Sequence, residues 1–110
     1  MTARPKFKYV RSEALRRAVA SLPCQHCGIV GQTQCSHSNQ AKHGHGSKIK
    51  SSDEYSAALC VRHHAMVDSS YSMTGQERED MWQAAHEKTV HELKNQGIWP
   101  AGVPYPEWLK

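Results

Sequence analysis

Two short motifs constrain this chain more than any other feature: Cys24-Gln25-His26-Cys27 and Cys60-Val61-Arg62-His63. In each, two metal-ligating side chains stand two residues apart, the gap that lets both donors reach one ion. Gly28, directly after the first pair, permits the tight turn that such a knuckle requires. Together Cys24, Cys27, Cys60 and His63 make a Cys3His set that suits tetrahedral Zn2+ and closes a loop of about three dozen residues. A set with all four positions filled by protein is structural and not catalytic. A redox reading of the first pair would need βαβ surroundings, which the sequence does not offer. Cys35 is left over and is expected to be a buried strand residue.

A metal staple also fits the size of the chain. Its 110 residues, with four cysteines and eight histidines, are expected to form one domain, 1–110, with a small core. Residues 1–10 are basic but lack the apolar stretch of a signal peptide, and no run approaches a membrane span. The expected address is cytoplasmic, without membrane association. In such a reducing compartment, closely spaced cysteines are read first as zinc ligands.

The two histidines at 63 and 64 should serve different partners. On a helix, neighbouring side chains point about 100° apart, so both cannot easily address one metal. His63 shares a face with Met66 and Val67, the expected buried side. His64 shares a face with Asp68, four residues on, a spacing at which two side chains either hold one divalent ion or form a plain surface pair.

Charge is divided unevenly. Residues 1–50 carry nine Lys or Arg against one acid, whereas 51–110 carry five against nine. A basic front half suits a polyphosphate partner, because each neutralised phosphate releases counterions and adds sequence-independent affinity. Arg4, Lys6 and Lys8 are read equally well as a solvated arm. Lys42, Lys48 and Lys50 are stronger candidates, since they lie within the ligand-rich segment. His43 and His45 sit in the same Gly- and Lys-rich stretch and are expected to face solvent in a mobile loop.

The pattern of apolar residues predicts an α+β domain. The first ten residues read as extended or frayed, and Ser12 then offers an N-cap to a helix over 13–21 that Pro23 stops. Short strands are expected at 33–37 and 55–59, joined by a polar loop over 38–53. A short helix should follow from Val61 to about Ser69. A longer one begins at Thr74, where Thr74 and Glu77 form a capping box, and ends at Gly97. Its stripe of Met81, Trp82, Ala85, Thr89 and Leu93 reads as core, with His86 and His91 on the surface. His26 should be exposed. Residues 98–110 read as an extended tail, with Trp99 and Trp108 as hydrophobic anchors or dimer contacts.

In this order the residues resemble a known family. Cys24-x-x-Cys27, strand residue His37, the loop residues Gly44, Gly46 and Lys48, then Asp53, Cys60-x-x-His63-His64 and Asp68 are similar to the zinc-stabilised HNH, or ββα-metal, endonucleases. The likeness is strongest to small phage and prophage nucleases associated with recombination. It covers residues 24–70, and leaves outside it the basic arm and helix of 1–23, the helix of 74–97 and the tail of 98–110. The resemblance implies a ββα-metal core of treble-clef-like form with flanking helices. It implies His37 as the general base that activates water, His64 and Asp68 as ligands of a catalytic Mg2+ or other divalent ion, and Asp53 at the position that orients the base through its backbone. It implies Lys48 as a phosphate contact, a role also expected of Lys42. Ser36 stands where many members place a metal ligand before the base, so the catalytic ion would lean on water and phosphate.

Three functions of different class follow. The favoured one is a metal-dependent endonuclease hydrolysing DNA, single- or double-stranded, in phage recombination or processing, with a recombination protein as a partner and a homodimer as one way to cut both strands. If phage-encoded, it would act in the bacterial cytoplasm. The alternative is a noncatalytic zinc module that binds nucleic acid through its basic half, with no use for His37 or His64. The third is a zinc-stapled protein-interaction module, which the basic half disfavours.

Overall fold

The computed structural model describes residues 8–46 and 49–109. Along them run α1 (Glu13–Ser21), β1 (Thr33–His37), a 3-10 turn (Ala41–His43), β2 (Ser56–Cys60), α2 (Val61–Ser69), α3 (Gly75–Asn95) and a second 3-10 turn (Glu107–Leu109). The helix boundaries follow local chemistry. Ser12 accepts the Leu15 amide to start α1, and Thr74 with Glu77 closes the expected capping box at the start of α3. At the other end of α3, Gly97 has φ +70°, the Gly97 amide donates to Lys94 and the Ile98 amide to Leu93. These paired bonds satisfy the last carbonyls in a Schellman arrangement.

The strands pair antiparallel with Thr33 opposite Cys60 and His37 opposite Ser56. β2 lies one residue later than the expected 55–59, because it runs without a loop into α2. Every residue of β2 is buried. Ala57 and Leu59 pack with Val67, Trp82 and Ala85 on one side, while Ala58 meets Leu15, Val19 and Leu93 on the other. Helices therefore cover both faces of the strand, which removes the polar alternation of a half-exposed one. Thr89 Oγ1 accepts the Ala58 amide at 2.9 Å, filling a backbone bond that a third strand would otherwise supply.

Four expectations are corrected. The chain just before α1 is not frayed: Tyr9 donates to the Gly44 carbonyl, Val10 N to Ser52 Oγ, and Asp53 N to the Val10 carbonyl. Nor is the connection between the strands a solvated loop, since Ser38, His43 and the run from Ser51 to Glu54 are buried. The Ser38, Ser52 and Ser56 hydroxyls and much of its backbone are hydrogen-bonded, which lets a polar segment be covered. His43 stacks on Tyr55 with ring centroids 4.0 Å apart, and Ser38 Oγ lies 2.6 Å from its Nδ1. Burial pushes its imidazole down to about 4.

His86 is likewise interior, fully buried and stacked on Trp82 at 4.6 Å. It sits between the Ser56 carbonyl on Nδ1 and the Trp108 indole on Nε2, which fixes a neutral tautomer with the proton on Nδ1. Burial holds its pKa at about 4. Trp108 and Trp99 are anchors, Trp99 packing on the cluster around Leu15 and Leu93. None of the described helices is long and apolar enough to cross a membrane.

Candidate functional site

Cys24, Cys27, Cys60 and His63 converge as their spacing requires, with their ligand atoms all within 4.8 Å of one another. The knuckle closes through Gly28 N to the Cys24 carbonyl, with Gly28 at φ +83°, while Cys60 and His63 straddle the β2–α2 junction. Tetrahedral zinc places sulfur ligands about 3.8 Å apart and a sulfur and nitrogen about 3.5 Å apart. Here Cys27 Sγ to Cys60 Sγ is 3.9 Å, and His63 Nδ1 lies 3.2 Å from Cys60 Sγ and 3.9 Å from Cys24 Sγ. Burial opposes ionisation of Cys24, but hydrogen bonds from the Cys27, Cys60 and His26 amides and from His63 bring its thiol down to about 6. These four side chains could hold a metal such as zinc, and among the described residues no other group of three or more His, Cys, Asp or Glu does so. His26 is exposed beside it, as expected, and Cys35 is half-buried in β1.

A cleft of about 160 Å³, lined by none of the four cluster residues, has His37, Asn39, His45, Lys50, His64 and Asp68 among its walls. His37 comes from the end of β1. Its Nε2 is 2.8 Å from Asp53 Oδ1, so the carboxylate holds the Nε2 proton and the Nδ1 lone pair is left without a hydrogen-bond partner among the described residues. Burial lowers its pKa below the ordinary imidazole value, opposed by the Asp53 bond and reinforced by Lys50 and Arg11 nearby. The ring is therefore neutral at pH 7.

Asp53 is 1% exposed. Its Oδ2 takes the Ser12 amide at 2.7 Å and Arg16 at 2.5 Å, and Arg11 reaches Oδ1 at 3.4 Å. Burial raises its pKa, but the bonds from His37, Ser12 and Arg16 outweigh that and leave the carboxyl below its usual range. Asp53 thus meets the histidine through its side chain, where the resemblance implies its backbone; its carbonyl accepts the Ser56 hydroxyl instead.

His64 and Asp68 meet across one turn of α2, with Nε2 3.3 Å from Oδ2. Gln34 Oε1 lies 2.7 Å from His64 Nδ1, which puts the proton there and the Nε2 lone pair toward Asp68. Asn39 donates to Asp68 Oδ1 at 2.9 Å, leaving Oδ2 for the shared side. Two lone-pair-bearing atoms side by side, each oriented by an outer amide, can hold a divalent cation or share a proton. Ser36 contributes nothing to the cleft: it is fully buried, with its carbonyl accepting the Trp82 indole.

Not every expected residue joins. Lys42 is exposed and lines a separate cleft with His43, Tyr55 and Trp108. Arg4, Lys6 and Lys48 lie outside the described residues. Sequence reasoning missed Gln34, Asn39, Arg11 and Arg16. Only Asn39, two residues past His37, carried a local hint.

The described residues thus define a small α+β domain with a two-stranded sheet and a Cys3His cluster able to bind metal. No protein family, curated protein or solved structure matches the chain.

Proposed function

We propose that the protein is a metal-dependent endonuclease of HNH type that hydrolyses DNA phosphodiester bonds, with structural zinc on Cys24, Cys27, Cys60 and His63. The observation that carries this reading is that His37, neutral and held by a buried carboxylate, lines the same cleft as His64 and Asp68. A carboxylate on one imidazole nitrogen leaves the other basic and aimed, the arrangement a general base needs. His37 Nδ1 would take a proton from water while the oxygen attacks phosphorus and the bond to the leaving sugar oxygen breaks. Asp53 fixes the ring and stabilises the imidazolium that forms. A divalent cation such as Mg2+, held by His64 Nε2 and Asp68 Oδ2, would offset charge on the phosphate and the leaving oxygen. Gln34 and Asn39 keep those two ligands turned inward.

The test is cleavage of single- and double-stranded DNA by the zinc-loaded protein with Mg2+ or Mn2+, beside His37→Ala and His64→Ala. Cutting by the wild type, and its loss in both variants with folding and DNA binding retained, supports the enzyme. A wild type that binds DNA but cuts with no divalent ion leaves the noncatalytic zinc module as the function.

A further inference from the structure

A second cleft of about 590 Å³ opens on another side of His37, lined by Arg11, Arg16, His37, Ile49, Lys50 and Asp53. It lies outside the cluster and the ligand pair, and Arg11 and Arg16 come from before and within α1. His37 and Lys50 line both clefts, so the two meet at the imidazole. Three cations line it with the one carboxylate of Asp53, and even with the neighbouring buried Glu54, which interacts with Arg11, positive charge is in excess.

The guanidinium groups are also held in place. Arg11 donates to the Ser51 and Lys50 carbonyls, at 2.5 Å and 2.7 Å, as well as toward Asp53. Arg16 gives one nitrogen to Asp53 Oδ2, and among the described residues its other nitrogens have no hydrogen-bond partner. Both side chains remain about two-fifths exposed, 42% and 39%. The Lys50 ammonium makes no hydrogen bond or ion pair among the described residues, yet it lies near enough to lower the pKa of His37. A pinned guanidinium with free donors is a preorganised fork for a tetrahedral oxyanion, and a free ammonium beside it adds a point charge. An acidic side chain could satisfy one such fork. Three cations converging on an open trough that leads to the histidine fit a chain of phosphodiesters better.

We propose that Arg11, Arg16 and Lys50 form a phosphate-binding cradle that seats the nucleic-acid backbone next to His37, so that α1 is part of the substrate-binding surface. The proposal deepens the endonuclease reading and rests on it for the place of the scissile bond, but the cradle is measured without cleavage.

The experiment is fluorescence anisotropy of a labelled short oligothymidylate on zinc-loaded protein with no other divalent ion, across a salt series. Lys50→Gln, whose side chain has no structural bond to lose, should weaken binding about fivefold and reduce the salt slope by about 0.7, the value for one contact to a single strand. Arg16→Lys keeps the charge on Asp53 but loses the fork, and should weaken binding about threefold with the salt slope unchanged. Unchanged binding in both Lys50→Gln and Arg16→Lys overturns the cradle, whether or not the wild type cuts DNA. Equally tight binding of a polyglutamate with the same dependence on Lys50 overturns it in favour of an acidic peptide. Cradle-dependent binding with no cutting in any divalent ion upholds the cradle and removes the enzyme.

Discussion

Asp53→Asn should cost about 3 kcal/mol of folding stability, because the carboxylate answers donors on opposite sides that one amide cannot. Oδ1 serves His37 and Oδ2 serves both the Ser12 amide and Arg16. An asparagine has one acceptor oxygen. If it keeps His37, its NH2 meets the Ser12 N–H and the Arg16 guanidinium, and a buried backbone donor is left unpaired at about 1–3 kcal/mol. The two arginine contacts add only about 0.5–1 kcal/mol each, since both cations are partly exposed and screened. Urea unfolding of zinc-saturated wild type and variant at pH 7 measures the difference. The pH dependence supplies a second check. The folded pKa of Asp53 lies below the ordinary carboxyl value, so its contribution is complete above about pH 4 and is lost as pH falls through the folded value. The gap between the two proteins should therefore hold from pH 7 to about pH 4 and close below it. A loss under about 1 kcal/mol at pH 7, or a gap that closes near pH 6, refutes the account of Asp53 as the joint between α1 and His37.

Removing the metal with a strong zinc chelator should abolish the far-UV dichroism of the folded state, and Cys24→Ser should purify with less than one zinc per chain. A chelated protein that keeps its melting transition would show that the cluster holds no structural ion. His86 gives a third prediction. Its folded pKa of about 4 lies below the unfolded imidazole value, so the unfolded state gains the proton first as pH falls from about 6.5. Stability is full above that pH and falls by about 3 kcal/mol on approaching pH 4. Nitrogen NMR should find the His86 ring neutral, with its proton on Nδ1, down to about pH 4, and a titration near 6.5 sinks the assignment.

What was legible in the chain is what short-range chemistry dictates. Chelate geometry brings Cys24 to Cys27 and Cys60 to His63, and the caps at Ser12 and Thr74 act within one turn, so these features can be read from spacing. His64 with Asp68 belongs to the same class. Asp53 with His37 is sixteen residues apart, a contact made when the loop folds back on the end of β1, and Arg11 with Asp53 forty-two, a contact made when the segment leading into α1 docks on the loop. No local pattern encodes them. His86 is a different failure. It lies four residues after Trp82 on the stripe that includes Thr89 and Leu93, so its phase on the helix points to the core where its residue type points to the surface. A buried imidazole with one acceptor and one donor in reach carries no penalty for being polar, so phase was the better guide.

The cleft is therefore held from two sides by unlike devices. The Cys3His cluster spans the β2–α2 junction through Cys60 and His63, so a bound ion would fix the first turn of α2 and with it the direction of His64. Asp53 instead ties the end of β1 to α1, fixing His37 and the two arginines together. Loss of metal should loosen the His64 side, while loss of the Asp53 carboxylate should loosen the His37 side. Gln34 on the one side and His37 on the other both lie on β1, and the pairing of these residues with Leu59 and Ser56 of β2 joins the two sides. A two-stranded sheet is marginal alone, and here helices packed on both faces of β2 supply the support. The helices on either flank of the ligand-rich segment are thus part of what aims the site, which is why truncating the chain to residues 24–70 should destroy the alignment of His37 with His64 even if the metal cluster still forms.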